Sequence, residues 1–130
     1  MIEVKVVRHI KVGAVICSLY ILLSAFGAHG LEGKITPNQL ATFNTGLRYM
    51  IIHGLGIILI SLVYLTLNKY NKWVYNLIYL GILFFSSSLI IHALKDILNI
   101  NVNLFALIAP IGGLCYAFSW ILLVLALRKK

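Results

Sequence analysis

Residues 49–67 read Y-M-I-I-H-G-L-G-I-I-L-I-S-L-V-Y-L-T-L, an uninterrupted apolar run without a formally charged side chain. A helix of about 20 apolar residues crosses the ~30 Å hydrocarbon layer of a bilayer. Helices are the required form for such a run, because lipid offers backbone amide groups no alternative hydrogen-bond partner. The run therefore predicts a membrane-spanning helix.

Three further apolar runs flank this one, at residues 12–28, 73–94 and 104–127. Together the four runs predict an all-α membrane protein, a four-helix bundle that forms one domain over residues 1–130. The composition agrees, since 62% of the residues are hydrophobic and only 11% are charged, whereas soluble domains carry about 25% charged residues. A water-soluble enzyme, a disordered chain and a nucleic-acid-binding protein are therefore all poor interpretations, despite a pI of about 9.7.

The basic residues predict how the four spans are oriented. Three of the eleven Lys and Arg residues, namely Lys34, Arg48 and Lys95, fall on one side of the membrane. The other eight fall on the side of the termini: Lys5, Arg8, Lys11, Lys69, Lys72, Arg128, Lys129 and Lys130. The positive-inside rule then places both termini in the cytoplasm. The net charge of +8 is mainly a topology signal, with some attraction to anionic lipid.

Two local patterns near the membrane boundary add to this picture. Tyr70, Trp73 and Tyr75 cluster at the cytoplasmic end of the third span, where an interfacial aromatic belt is expected. The first span has a basic start and a short apolar run, as signal peptides do, but we expect it to be retained as a membrane helix.

The segment before residue 49 has the pattern of a helix start. Thr36 is a candidate N-cap, Pro37 suits the first helical position, and Gln39 completes a capping box. Apolar residues then recur at helical spacing, which predicts an amphipathic helix over residues 37–47. This helix either lies on the outer surface or continues unbroken to residue 67; the unbroken helix would be about 46 Å long and would need a strong tilt or a bend near Gly46.

Polar side chains within the spans gather in the outer half of the membrane, which makes that half the candidate site. Such groups are costly in lipid and tend to face the bundle interior. We expect an outer pocket that binds an anionic lipid headgroup or a small anion, with Arg48 as a bidentate cation. Its predicted ligand-binding residues are His29, Arg48, Tyr49, His53, Ser86 and Ser88.

Each of the central residues of this pocket also has a simpler interpretation. For Arg48 at the interface it is an anchor to lipid headgroups, and for His53 it is an interhelical hydrogen-bonding residue. His29, His53 and His92 have no recognisable metal-ligand spacing, and His53 with His92 has no haem signature, so no metal or cofactor is predicted. A nucleophilic pair with Ser86 or Ser88 lacks an orienting carboxylate within the spans, so an enzyme is not expected.

Small residues in the fourth span predict close helix packing. Ala109, Gly113 and Ala117 recur at every fourth position, a spacing that lets helices approach closely. Gly112 widens that surface, and Pro110 predicts a local kink. One alternative function is therefore a structural or accessory subunit that docks a partner helix or forms a homo-oligomer. Another is a small transporter, which would need to dimerise because four helices are a small permeation unit.

Four motifs give the chain a family resemblance. They are S-A-F-G-A-H-G-L (residues 24–31), T-P-N-Q-L-A-T-F-N-T-G-L-R-Y (residues 36–49) followed by His53, F-S-S-S-L (residues 85–89), and P-I-G-G-L (residues 110–114) followed by Trp120. In this order they resemble the domain of unknown function 423 family, whose animal members are called transmembrane protein 256. The resemblance implies a four-span bundle in bacterial plasma membranes without an established biochemical activity.

The motifs also select positions in this chain. Beyond the residues already named, they single out Gly27 and Gly30, which we expect to serve helix packing. The chain departs from the family pattern at Asn44, where an acidic residue is common, at Ser87, where glycine is usual, and at Ala109, where threonine often precedes the proline. The first departure removes a candidate partner for Arg48.

Overall fold

The computed structural model describes residues 1–128, and those residues form helices and short connections without a strand. Four long helices are apolar enough to cross a membrane, as predicted. They are α1 (Ile2–Gly30), α2 (Pro37–Leu67), α3 (Lys72–Ala93) and α5 (Asn103–Leu127), with the short α4 (Lys95–Leu98) between the last two. Lys129 and Lys130, counted above among the basic residues, lie outside the described residues.

Two of the long helices contain a π-helical turn. The final turn of α1, Phe26–Gly30, is π-helical. In α3 the π-turn Ile82–Ser86 lies between the α-helical parts Lys72–Gly81 and Ser87–Ala93. The first turn falls within the motif of residues 24–31, and the second overlaps the motif of residues 85–89 at Phe85 and Ser86. Such turns occur frequently at functional sites.

Helix α1 begins ten residues before the predicted first span, at Ile2. The prediction used apolar character, which reports the membrane boundary, whereas helix length is set by backbone hydrogen bonding. The basic residues of this first part are good helix formers, and Val6 on its inner face is fully buried. The helix therefore continues into the charged N-terminal segment.

The amphipathic segment 37–47 and the second span form one helix, so a separate helix on the outer surface is not present. The predicted capping box is confirmed: the Thr36 hydroxyl accepts a hydrogen bond from the Gln39 amide at 3.2 Å, and the Gln39 side chain accepts one from the Thr36 amide at 2.8 Å. Gly46 serves close packing, because a Cβ at this position would lie 2.9 Å from the carbonyl oxygen of Ser86.

The helices form an antiparallel bundle in which Met1 and Arg128, the first and last described residues, lie at one end, here called the terminal end. There the Lys69 ammonium group donates to the carbonyl oxygens of Ala126 and Leu127 in the last turn of α5 and of Arg128 directly after it, at 3.2–3.4 Å. At the opposite end, called the loop end, the Gln39 side chain donates to the Asp96 carboxylate at 2.6 Å. Helix α1 packs along α2, and α3 packs between α2 and α5.

Glycines mark the places where helix backbones approach most closely. A Cβ on Gly13 of α1 would lie 2.9 Å from the carbonyl oxygen of Gly54 of α2. A Cβ on Gly112 of α5 would collide with the backbone of the α3 π-turn at Phe84 and Phe85. The π-turn and Gly112 therefore fit together, which fixes how α5 packs on α3.

The inner face of α5 differs from the predicted stripe of small residues. Its buried residues are Ala109, Gly112, Tyr116 and Ser119. Gly113 is only partly buried, and Ala117 is exposed. The reason is that the π-turn of α3 meets α5 at Gly112, which rotates Gly113 and Ala117 away from the contact. Pro110 lies on the exposed side, and the helix continues through it.

Candidate functional site

His53 lies at the contact between α2 and α5 and has both ring nitrogens engaged. Its Nδ1–H donates to the Tyr49 carbonyl oxygen at 2.8 Å, and its Nε2 accepts from the Trp120 indole N–H at 3.1 Å. This pair of partners requires the neutral imidazole with the proton on Nδ1. Only 4% of the side chain is exposed. His53 is therefore an interhelical hydrogen-bonding residue, with no free nitrogen for a metal, a haem or an anion.

Tyr116 of α5 holds the imidazole from the other side. The two rings stack with their centroids 3.5 Å apart and their planes 14° apart. The Tyr116 hydroxyl shares a 2.8 Å hydrogen bond with the Ser86 hydroxyl, and the Tyr116 ring lies directly against Gly81, where a Cβ would be 2.7 Å from its Cγ. This arrangement ties α2, α3 and α5 together.

The serines of the predicted site have structural partners as well. Ser86 is occupied by Tyr116, and the Ser88 hydroxyl donates to the Phe84 carbonyl oxygen of its own helix. Neither hydroxyl contacts a histidine. The Tyr49 ring packs on Phe85, with centroids 4.7 Å apart, and remains 39% exposed.

Arg48 has different surroundings from His53, although only five residues separate them. Five residues of an α-helix correspond to roughly 140° of rotation at about 3.6 residues per turn. Arg48 is exposed and lines a groove between α1 and α2 with a volume of about 270 Å³. Its neighbours along that groove are Tyr20, Ser24, Asn44, Leu47 and Ile51. The single pocket predicted around Arg48 and His53 is therefore divided into two separate environments.

The groove continues from Arg48 toward the loop end. Ser24 and Asn44 also line an adjoining space of about 350 Å³, whose outermost charged residue is Glu32. We call the two spaces together the α1–α2 groove. It has a cation at the end nearer the middle of the bundle, two neutral polar side chains between, and a carboxylate at the loop end.

His29 joins neither environment. It is exposed on the π-helical turn of α1, beside Gly27, which packs against the Phe43 ring. A Cβ on Gly30 would collide with the Phe26 ring. Within residues 1–128, no three His, Cys, Asp or Glu side chains lie close enough together to hold a metal ion.

Sequence reasoning missed a second polar cluster, at the terminal end around His9. The His9 Nδ1 shares a 2.6 Å hydrogen bond with the Tyr79 hydroxyl, and its Nε2 shares a 3.1 Å bond with the Tyr70 hydroxyl. Its ring stacks on Tyr75 with centroids 3.7 Å apart and planes within 4°. We call these four residues the His9 cluster; it attaches the first turns of α1 to α3.

The His9 cluster corrects the predicted aromatic belt. Tyr75 is fully buried, and its hydroxyl shares a 3.0 Å hydrogen bond with Ser61, whereas Trp73 is 58% exposed and matches a membrane-interface position. The four-residue spacing of Tyr75 and Tyr79 was the available signal, because it places both on one helix face. Nothing in the sequence indicated that His9, more than sixty residues earlier, packs against them.

Four long apolar helices joined by buried polar contacts define an all-helical membrane protein. The chain belongs to the DUF423 family, described as proteins of unknown function, whose profile matches residues 23–113. The resemblance drawn from the motifs is thereby confirmed.

Relatives match along nearly the whole chain. A UPF0382 membrane protein of Staphylococcus haemolyticus is 36% identical over 120 residues, which cover 92% of this chain and 94% of the relative. The UPF0382 membrane protein YwdK of Bacillus subtilis is 35% identical over 125 residues, covering 92% and 95%. No solved structure gives a significant match.

Proposed function

We propose that the protein is a non-enzymatic protein of the plasma membrane, with cytoplasmic termini, whose α1–α2 groove binds a phospholipid headgroup. The observation that carries this proposal is the position of Arg48, exposed in a groove beside Ser24 and Asn44. No ion-pair partner of Arg48 is present among residues 1–128. A bound anion would therefore supply a counter-charge that the described residues do not.

The phosphate group of a lipid suits Arg48 on energetic and geometric grounds. Arginine costs about 2.5–3.5 kcal/mol at the centre of a bilayer but is tolerated where it reaches headgroups. The guanidinium group binds two phosphate oxygens at once, and such charge-assisted bonds are about twice as strong as neutral ones. The Ser24 hydroxyl and the Asn44 amide add donors along the same groove.

Glu32 narrows the class of headgroup. A small anion in the groove gains from Arg48 but is repelled by the carboxylate, whereas a zwitterionic headgroup satisfies both charges. In a lipid leaflet the phosphate lies nearer the hydrocarbon than the amine that it carries. The groove has the same order, with Arg48 nearer the membrane centre than Glu32. A headgroup with a phosphate and a primary ammonium, as in phosphatidylethanolamine, therefore fits best.

A comparison of headgroup binding in lipid nanodiscs tests the proposal. Arg48→Ala is expected to lower the amount of phosphatidylethanolamine retained in native mass spectrometry at least fivefold, and Arg48→Lys to restore it only partly, because Lys lacks the bidentate geometry. Lys34→Ala is the matched control, since Lys34 is an exposed cation of the same side that lines neither part of the groove. Equal retention by Arg48→Ala and Lys34→Ala would refute the proposal.

A second candidate function is that of an accessory subunit that docks a partner helix on α5. It is favoured by one observation: Ala117 is exposed, between the exposed side chains of Leu114 and Phe118. Small residues at a lipid-facing position permit close approach of a second helix. Ala117→Leu is then expected to change the oligomeric state in detergent and to leave headgroup retention at the groove unchanged.

A further inference from the structure

A cavity at the terminal end plays no part in the proposed function. It has a volume of about 510 Å³ and lies where the end of α2, the loop before α3 and the end of α5 meet. Its polar lining consists of Tyr64, Lys69, Tyr70, Asn71 and Arg128. Two of these side chains are cationic and none is acidic, so the cavity is electropositive. It lies at the opposite end of the bundle from the α1–α2 groove.

The Tyr64 hydroxyl is the first indication that the cavity is a binding site. Tyr64 is fully buried, and within residues 1–128 its hydroxyl is the buried side-chain polar atom that lacks a hydrogen-bond partner. Neighbouring hydroxyls are already used, since Tyr75 pairs with Ser61 and Tyr70 pairs with His9. An unpaired buried hydroxyl is destabilising, and each such group in a folded protein calls for an explanation.

The arrangement of Lys69 is the second indication. Its ammonium group lies 3.2–3.4 Å from the carbonyl oxygens of Ala126, Leu127 and Arg128, where the partial negative charge of the α5 C-terminus holds it in place. A lysine held in this way presents its charge at a defined point of the cavity wall. Arg128, directly after α5, contributes the second cation.

Asn71 supplies an oriented donor. Its side-chain oxygen accepts a hydrogen bond from the Trp73 amide at 3.0 Å and so caps α3. With the oxygen fixed by the cap, the NH₂ group of the amide remains to donate. The cavity thus combines two cations with two neutral donors, the set that recognises a phosphate group.

We propose that this cavity binds a phosphate group, with charge supplied by Lys69 and Arg128 and hydrogen bonds donated by Tyr64 and Asn71. The phosphate belongs either to an anionic lipid in the leaflet at the terminal end or to a free phosphate in solution. Because none of the described residues that line the cavity carries a carboxylate, it accepts an anionic headgroup without an amine, unlike the α1–α2 groove.

The test compares Tyr64→Phe with the unaltered protein in phosphatidylcholine nanodiscs. One arm adds phosphatidylglycerol and counts retained lipid by native mass spectrometry; the other titrates inorganic phosphate without anionic lipid, followed by ³¹P NMR. Binding in the first arm identifies a lipid headgroup, and binding in the second identifies free phosphate. Tyr64→Phe is expected to weaken whichever is bound about tenfold, the loss of one hydrogen bond to a charged group.

Two further variants keep the result interpretable. Tyr49→Phe removes a hydroxyl far from the cavity and is expected to leave binding unchanged. Arg128→Gln removes an exposed charge, so it bears on the site even if Tyr64→Phe fails to fold, and it is expected to weaken binding several-fold. Absence of binding in both arms overturns the proposal. It is also overturned if Tyr64→Phe binds as well as the unaltered protein and has a higher melting temperature, since the Tyr64 hydroxyl is then unpaired or bound to water alone.

Discussion

Trp120 on α5 donates its indole N–H to Nε2 of His53 on α2, at 3.1 Å, and this bond joins the two helices directly. It fixes the tautomer of the imidazole and thereby the second bond, from Nδ1 to the Tyr49 carbonyl oxygen. Stacking of Tyr116 on the same ring completes the contact. The most polar residue within the second span therefore stabilises the fold and is not available to a ligand.

Loss of the indole donor is expected to destabilise the bundle. Trp120→Phe leaves His53 Nε2 buried without a partner, which costs about 1–2 kcal/mol for an interhelical hydrogen bond in a membrane protein. The measurement is reversible unfolding in mixed micelles. The double variant His53→Leu/Trp120→Phe is the control, since removal of both partners avoids the unpaired nitrogen. If its loss of stability equals the sum of the losses of the two single variants, the assigned bond is contradicted.

Adjacent glycines on α5 are expected to respond oppositely to alanine. Gly112→Ala places a Cβ against the α3 backbone at Phe84 and Phe85, which should cost about 1–3 kcal/mol by overpacking. Gly113→Ala places its Cβ 3.4 Å from the Phe85 ring, an ordinary contact, and should be neutral or stabilising, because alanine is the better helix former. Melting temperatures of the two variants in one detergent provide the comparison, and equal values would show that the packing register of α5 is wrong.

The His9 cluster is expected to hold the N-terminal turns of α1 in place. His9→Ala removes the ring that pairs with Tyr70 and Tyr79 and stacks on Tyr75. Amide hydrogen exchange should then increase over residues 2–11 and remain unchanged in the rest of α1, because local opening follows the loss of buried contacts. Lys11→Ala, at an exposed position two residues after His9, is the control. Unchanged exchange in His9→Ala would mean that the His9 cluster does not hold the first turns of α1 against α3.

Replacement of the carboxylate in the α1–α2 groove is expected to change selectivity more than affinity. Glu32→Gln removes the charge that favours an ammonium group, so the preference for phosphatidylethanolamine over phosphatidylglycerol should decrease about fivefold while phosphate binding at Arg48 persists. Competition between the two lipids in nanodiscs measures this ratio. An unchanged preference for phosphatidylethanolamine would show that Glu32 does not select the headgroup. The role of Arg48 is tested separately, by the Arg48→Ala variant.

The orientation of the bundle is open to a direct measurement. In a background with Cys17 and Cys115 replaced by Ala, Lys34→Cys is expected to react with a membrane-impermeant maleimide added to intact cells, and Lys72→Cys only after lysis. Both side chains are exposed, at the loop end and the terminal end respectively. The reverse labelling pattern would place the termini outside, against the distribution of basic residues.

Several features of the fold follow from local sequence alone, and the prediction of them was correct. The four apolar runs predict four spanning helices because the requirement of lipid for internal hydrogen bonding depends only on composition and length. The Thr36 capping box was predictable because its partners are three residues apart. The start of α1 at Ile2 was not predicted, because charged residues continue the helix beyond the apolar run that marks the membrane.

The candidate site was predicted only in part. Of the predicted site residues Arg48, Tyr49 and His53, the last two were expected on one helix face one turn apart, and the bond between them confirms this. Their convergence on one pocket was wrong, because Arg48 and His53 lie roughly 140° apart on the helix. The helical rotation was available from the sequence, but which helix lies against each side was not.

What the sequence determined by itself is the number of spans, the start of α2 and the bias of charge between the two ends, since each depends on residues that are neighbours in the chain. Only the tertiary structure decided that Gly112 rather than Gly113 meets α3, that Trp120 bonds His53, and that His9 is enclosed by three tyrosines. These contacts join residues about thirty to seventy positions apart. They depend on the rotation and depth of each helix, which packing of the whole bundle sets and no single segment encodes.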